Sequence, residues 1–196
     1  MFARAPRLMH ALGGRRASGR DQMSFENQPT LNGNLVRLRP LRPGDFDALY
    51  AVAADPLIWE QHPAHNRHEY AVFREFFQES LASGGALLAT DARTEHVIGS
   101  SRFHGYNESA SEVEIGWTFL ARSYWGGRYN GELKQLMLRH AFRFVSSVVF
   151  FVSPGNMRSQ RAMQRIGGVL ESQPDEKGRL IYRITASAFA RKATAA

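Results

Sequence analysis

The spacing of apolar residues changes period several times along the chain, and each change marks an element. Leu35-Val36-Arg37-Leu38-Arg39 alternates apolar and basic residues, which predicts a half-buried strand. Pro43-Gly44-Asp45 then opens a helix with Phe46, Leu49, Tyr50 and Ala53 at helical spacing. After Pro56 a second helical pattern runs from about Glu69 to Leu81, with Tyr70, Phe73, Phe77 and Leu81 on one stripe, and Gly84-Gly85 ends it.

Three strands are predicted next, at about 86–91, 97–106 and 111–119, separated by short polar connections. A long helix covers roughly 127–145. Leu133, Leu136, Met137, Ala141 and Phe144 recur at three- and four-residue steps, while Lys134, Arg139 and Arg143 read as facing away. The unbroken apolar run Val148 to Val152 predicts a strand buried on both faces. Asn156 starts a short helix that Gly167-Gly168 ends. Two last strands, about 168–173 and 179–185, flank the turn at 174–178. The order is strand, two helices, three strands, helix, strand, helix, two strands, which is an α/β pattern in one domain of about 31–190.

Composition narrows the function. The 196 residues include no cysteine, which removes disulfides, thiolate metal sites and a cysteine nucleophile and is compatible with a reducing cytosol. A cytoplasmic location is therefore expected. No apolar run approaches the ~20 residues needed to cross a bilayer, so no membrane partner is expected. The net charge of +7 invites a nucleic-acid reading, but residues 1–22 alone hold +4 (Arg4, Arg7, Arg15, Arg16 and Arg20 against Asp21), leaving +3 for the rest. Scattered surface charge accounts for that remainder more simply than a nucleic-acid face. Residues 1–30 have little apolar surface to offset the entropy of ordering and read as a disordered basic tail. That tail is either a transit-like segment or an extension upstream of a start at Met23.

The richest stretch chemically is Ser123-Tyr124-Trp125-Gly126-Gly127-Arg128-Tyr129-Asn130-Gly131-Glu132. It lies between a strand and a long helix, where free backbone N–H groups and the helix dipole favour an anion. Glycines at 126, 127 and 131 would let the backbone approach a phosphate closely, and Arg128 supplies a permanent charge. The segment resembles the acyl-CoA-binding motif of the GNAT superfamily, in particular its RimJ/RimL-like branch, which often shows Tyr-Trp-Gly-x-Gly-Tyr-x-x-Glu. Arg128 stands where the motif's second glycine is usual. Glu114-Ile115-Gly116-Trp117 resembles the family's Glu-Ile-Gly-aromatic strand, and Asn156-Met157-Arg158-Ser159 with Ile166-Gly167-Gly168 resembles its Asn-x-x-Ser helix. The resemblance covers about residues 34–186. It implies a mixed, mostly antiparallel, twisted sheet of about seven strands flanked by helices, and acetyl-CoA as co-substrate without a metal. Its pyrophosphate would be held by Gly126, Gly127, Arg128, Tyr129, Asn130 and Gly131. Its pantetheine arm would run beside Asn156 and the backbone of Phe119 and Leu120.

Acyl transfer to an amine needs a base, because alkyl amines are mostly protonated at neutral pH. Simple alternation on the 111–119 strand puts Glu112, Glu114, Gly116 and Thr118 on one face, with Val113, Ile115, Trp117 and Phe119 on the other. Two glutamates on one face would raise a pKa by mutual repulsion. The resemblance selects Glu114 as the base and Ser159 as the hydrogen-bond donor to the departing sulfur, since no tyrosine occurs between 156 and 167. Asn156 also suits a helix cap. Trp59 and Trp117 are candidates to border the acceptor pocket, although packing explains either equally well. His62, His65 and His68 form a ladder that Pro63 and the lack of nearby acids argue against as a metal site. The expected activity is acetyl transfer to a primary amine, a protein N-terminus or a small molecule of low charge, by a monomer or homodimer. A catalytically silent acyl-CoA-binding module and a basic nucleic-acid-associated protein are the rival classes.

Overall fold

A computed structural model describes residues 24–194. The strands are β1 (Leu31–Asn32), β2 (Val36–Pro40), β3 (Ala86–Asp91), β4 (Val97–Asn107), β5 (Glu112–Leu120), β6 (Ser147–Val152), β7 (Val169–Leu170) and β8 (Leu180–Thr185). The helices are α1 (Phe46–Ala53), α2 (Tyr70–Ala82), α3 (Arg128–Ala141), α4 (Met157–Ile166) and α5 (Ala186–Thr194). Among the described residues they form one eight-stranded sheet in the order β1-β2-β3-β4-β5-β6-β8-β7. Every neighbouring pair is antiparallel except β5 and β6, which run parallel.

Side-chain alternation sorts each strand residue into one of two cores. Leu87 and Ala89 of β3 join Leu133, Met137 and Ala141 of α3 and Met163 of α4. Ala86 and Leu88 point the other way, toward Leu49, Ala53, Phe73 and Phe77 of α1 and α2. The sheet is therefore covered by α1 and α2 on one face and by α3 and α4 on the other. The start of α1 is fixed by chemistry local to the sequence. The Asp45 carboxylate accepts the Arg42 N–H at 2.8 Å and two guanidinium N–H groups of Arg39 at 2.6 and 2.8 Å.

Several elements depart from the sequence pattern. Strand β1 and helix α5 were not expected, β7 is two residues long, and α3 stops at Ala141. Beyond α3 the Phe144 and Val145 amides still donate to the Ala141 carbonyl, so the apolar spacing outruns the regular helix. The short β1 depends on a distant carboxylate. Glu132 of α3 accepts the backbone N–H groups of Asn34, Leu35 and Val36 at 2.9, 2.6 and 2.7 Å, pinning the turn between β1 and β2.

The expected tail does not extend to residue 30. Phe25 is buried, with its ring centroid 5.3 Å from Phe103, 5.0 Å from Tyr106, 5.7 Å from His140 and 5.4 Å from Phe144. His140 Nε2 lies 2.8 Å from the Glu26 carbonyl, and Gln28 Nε2 donates to the Ala86 carbonyl at 3.2 Å. A single aromatic has no periodicity, so pattern analysis passes over it. Residues 1–23 of the expected tail lie outside the described residues. Phe25→Ala should destabilise the fold by about 3 kcal/mol, since it removes a fully packed ring. Urea unfolding monitored by far-UV circular dichroism would read this as a lowered midpoint with an unchanged slope, and an unchanged midpoint would contradict the docking.

Candidate active site

Parallel pairing between β5 and β6 is limited to Glu112 with Ser147, Val113 with Val148 and Glu114 with Val149. Past Glu114 the two strands separate and open a fork. A bulge in β5 accompanies the separation: Ser100 of β4 pairs with Phe119, yet Arg102 pairs with Gly116, so β5 carries one extra residue. Trp117 takes up the strain at φ +51°. The bulge reverses the alternation beyond it. Trp117 and Phe119, expected on the face of Val113 and Ile115, instead pack toward α1 and α2. Thr118, expected beside Glu114, turns to the α3 side. A one-residue insertion exchanges the two faces of a strand, and simple alternation cannot anticipate it.

Lys134 fills the fork. It was expected to face away with Arg139 and Arg143, and those two are exposed, but Lys134 is 2% exposed. It shares a stripe with Met137, Leu138 and Ala141, which its helical spacing already indicated. Its Nζ donates to Thr118 Oγ1 of β5 at 2.6 Å and lies 5.3 Å from the Phe150 ring centroid of β6. Thr118 Oγ1 is 2.7 Å from Ser101 Oγ, which ties the bulge back to β4. No ion pair among the described residues includes Lys134. Burial pulls its pKa down to about 7.

Two cavities adjoin the fork. One, of about 300 Å³, runs from Phe119 and Leu120 to Gly126, Gly127 and Asn130 at the start of α3, with Arg165 of α4 opposite. The other, about 560 Å³ and roomy enough for a small molecule or a peptide end, is bordered by Glu114, Trp117 and Arg67. Both reach Trp59, His62, Thr118, Asn156 and Ser159, so these residues mark where the two join. The first cavity ends on the N-terminus of α3. Gly126 and Gly127 adopt φ of +102° and +110°, and Gly127, the N-cap, brings no side chain to cap the first turn. The unpaired first-turn amides and the helix dipole thus face an open, glycine-lined space suited to a phosphate.

Helix α4 is aimed at the junction by its own cap. The Asn156 side chain accepts the Ser159 N–H at 3.0 Å. Arg158 anchors the same turn to the 58–61 segment: its N–H donates to Gln61 Oε1 at 3.0 Å and its Nη2 to the Ile58 carbonyl at 2.7 Å. Its guanidinium also sits 4.0 Å from the Trp125 ring centroid. The Trp125 indole N–H donates to the Leu120 carbonyl at 2.9 Å, so that acceptor is already engaged.

The carboxylates in this region divide sharply. Burial pushes Glu114 up to about 7, while Arg179, Arg102 and Lys134 draw it partly back and Asp175 opposes them. Glu112 does not cause this rise. It pairs with Arg183, and Ser147 Oγ lies near the same carboxylate. The repulsion expected between the two glutamates is replaced by desolvation of one and neutralisation of the other. His62 is pushed down to about 4, chiefly by burial, so it is neutral near pH 7. His65 Nδ1 lies 3.2 Å from the Trp59 carbonyl and His68 Nδ1 3.0 Å from the His65 carbonyl, so the ladder is spent on local contacts.

Of the residues expected to hold a nucleotide, Phe119, Leu120, Gly126, Gly127, Asn130 and Asn156 border the first cavity, whereas Arg128 and Tyr129 do not. Arg128 is exposed. Tyr129 donates its hydroxyl to Asp91 Oδ2 at 3.0 Å and packs edge-on against Tyr124 at 4.8 Å, which anchors the loop to β3. Gly131 lies one turn into α3, where its N–H donates to the Gly127 carbonyl at 2.7 Å. Trp59 and Trp117 both reach the second cavity, although Trp59 is 3% exposed and bonds its indole N–H to the Ala53 carbonyl at 2.7 Å. Sequence reasoning missed Arg165 and Arg158, whose seven-residue spacing with Ala162 between them signals a common α4 face toward the cleft.

The family model for the acetyltransferase (GNAT) domain matches residues 36–169. No curated protein matches the chain. Solved structures share the fold. A GCN5-related N-acetyltransferase from Brucella melitensis superposes with a TM-score of 0.73 at 17% identity, covering 85% of this chain and 83% of the other. An acetyltransferase from Agrobacterium tumefaciens gives 0.62 at 25% identity, covering 85% and 99%. Mycobacterium smegmatis RimJ, solved in complex with CoA-disulfide, gives 0.64 at 19% identity, covering 86% and 93%.

The buried lysine makes a testable demand on stability. Because its pKa is lowered in the fold, the unfolded chain binds the additional proton between pH about 7 and its ordinary value near 10.5. The destabilisation is complete below pH 7 and fades as pH rises through that window. Lys134→Met should therefore raise stability at pH 6–7 by on the order of 1–3 kcal/mol. The gain should shrink toward pH 10, as followed by denaturant midpoints. A gain independent of pH would show that Lys134 is not buried as a cation.

Proposed function

The chain belongs to the GNAT acetyltransferase family, and from that premise we propose that it is an N-acetyltransferase moving the acetyl group of acetyl-CoA to a primary amine. The observation that carries this reading is the joining of two cavities at Ser159, one ending on a bare helix N-terminus and the other bordered by a partly buried carboxylate. Members of the family use acetyl-CoA, and the residues present suit it. Gly126, Gly127, Asn130 and the first amides of α3 would hold the pyrophosphate, with Arg165 facing them. Asn156 and the backbone at Phe119 would flank the pantetheine arm, in the space the fork opens beside β5. Arg128, exposed at the helix start, contributes charge rather than a direct contact.

In this reading Glu114 takes the proton from the incoming amine, directly or through water. A carboxyl held near 7 is matched to that task, since a large fraction is ionised near neutral pH and it is basic enough to accept a proton. Ser159 presents its hydroxyl at the junction, where it can hydrogen-bond the departing sulfur. Thr118, fixed from behind by Lys134, keeps the β5 edge in place. Attack is direct, in a ternary complex, because the chain has no cysteine to carry the acyl group. Trp59 and Trp117 wall the acceptor side. The serine on α4 and the Tyr124-Trp125-Gly126 segment support a place in the RimJ/RimL-like branch, with a protein N-terminus or a small molecule as the amine.

Glu114→Gln should lower kcat by about 10² to 10³, the usual contribution of a general base. Its calorimetric affinity for acetyl-CoA should match that of the unmodified protein. The unmodified enzyme should lose kcat/KM as pH falls below about 7, since protonation of Glu114 removes the base, and the variant should lack this acidic limb. Undiminished turnover in the variant would rule out the base. Ser159→Ala should cost roughly tenfold in kcat if the hydroxyl supports the leaving sulfur, as loss of one neutral donor does.

A further inference from the structure

The second cavity holds more positive charge than amine acetylation requires. Arg67, Lys177 and Arg179 border it against the single carboxylate of Glu114. Arg179 is already paired with Asp175 at 2.7 Å, and Lys177 lies exposed in the turn before β8. Arg67 is different. Its guanidinium carbon sits 4.4 Å from the Phe76 ring centroid and 5.6 Å from that of Trp59, and its Nη1 lies 3.2 Å from His62 Nε2. It belongs to no ion pair among the described residues.

A fully buried guanidinium stands behind this half-buried one. Arg102 is 6% exposed and stacks 4.5 Å from the Trp117 ring centroid and 5.9 Å from that of Phe76, so both arginines lean on the Phe76 ring. Arg102 Nη2 donates to Ser80 Oγ, and its Nε is buried with no partner. Burial lowers the pKa of both groups, Arg67 to about 10, and Arg102 adds its repulsion to Arg67 while Glu79 offsets it from a distance. Guanidinium groups are ordinarily buried against carboxylates that neutralise them. Here two share one aromatic ring beside an open cavity, and neither has such a partner.

We propose that Arg67, backed by Arg102, is the subsite for an anionic group of the acceptor, so that the substrate is an amine bearing a carboxylate or a phosphate. The amine lies at Glu114 and the anionic oxygens meet the Arg67 guanidinium, between the walls formed by Trp59 and Trp117. The fork of N–H groups on Arg67 suits two oxygens of either anion. This narrows the low-charge acceptor expected from the sequence. It rests on the acetyltransferase reading above.

The test pairs amines that differ only in the anion: alanine against alaninamide, β-alanine against β-alaninamide, and aminoethyl phosphate against ethanolamine. Turnover is scored by CoA release, and binding to the CoA-loaded protein by calorimetry. At least one anionic member should exceed its neutral partner by roughly tenfold or more in kcat/KM, as a desolvated charge pair does. The carboxylate and phosphate arms separate the two sources of anion. Arg67→Gln should collapse that ratio toward one, and Arg67→Lys should restore most of it, which loss of packing alone would not do. Equal use of both members of every pair would overturn the anionic subsite while leaving acetyl transfer intact. Binding of the anionic member that depends on Arg67, with no CoA release from any amine, would support the subsite and defeat the transferase reading. Anion binding that survives Arg67→Gln, or no preferential binding at all, would overturn the proposal.

Discussion

The separation of β5 from β6 governs what the rest of the molecule can do. Two parallel strands that stayed paired to their ends would present a closed surface. Here pairing stops at Glu114, and the bulge at Trp117 turns the remainder of β5 away. The gap is not empty. Lys134 reaches from α3 to the Thr118 hydroxyl and lies by the Phe150 ring, so a buried cation holds the two strands apart from below. Above it the cavities meet, with the start of α3 on one side and Glu114 on the other. A well-packed leucine at 134 would satisfy the core but would not hold Thr118 through a hydrogen bond.

Charge in this interior is deliberately incomplete. Glu112 and Arg183 neutralise each other at the paired end of the strands, as do Arg179 and Asp175 in the turn before β8. Glu114, Lys134, Arg67 and Arg102 are left around the fork without close ionic partners among the described residues. Desolvation moves each of them toward its neutral form. Interiors usually avoid such groups because water solvates them better. Concentrating them beside two joined cavities makes that region sensitive to whatever enters, since a bound molecule can supply the missing partners.

Much of this was legible in the sequence. The alternation of periods places most of the strands and helices within a few residues, because each element buries one recurring face. The glycine pair before α3 and the Asn156 cap were readable from local chemistry alone. Four features were not. The bulge exchanges the faces of Trp117, Thr118 and Phe119 through one extra residue, which leaves no trace in an apolar count. Lys134 belongs to the buried stripe by spacing, but a lysine is ordinarily assigned to water. Phe25 docks as a single ring, and Arg67 and Arg102 come together only in space. Arg128 shows a different limit: the motif names it, yet its side chain is exposed, while Arg165 from another helix lines the cleft.

The carboxylate of Glu132 illustrates how far apart in time the parts of this site are made. It receives the amides of Asn34, Leu35 and Val36, nearly a hundred positions earlier in the chain. During synthesis those amides leave the ribosome long before their acceptor, by roughly 5 to 20 s at ordinary elongation rates. Until α3 emerges, those three amides have only water to bond. That carboxylate thus joins the N-terminal edge of the sheet to the helix whose first turn faces the glycine-lined cleft. A nascent chain halted before residue 132 would lack that join.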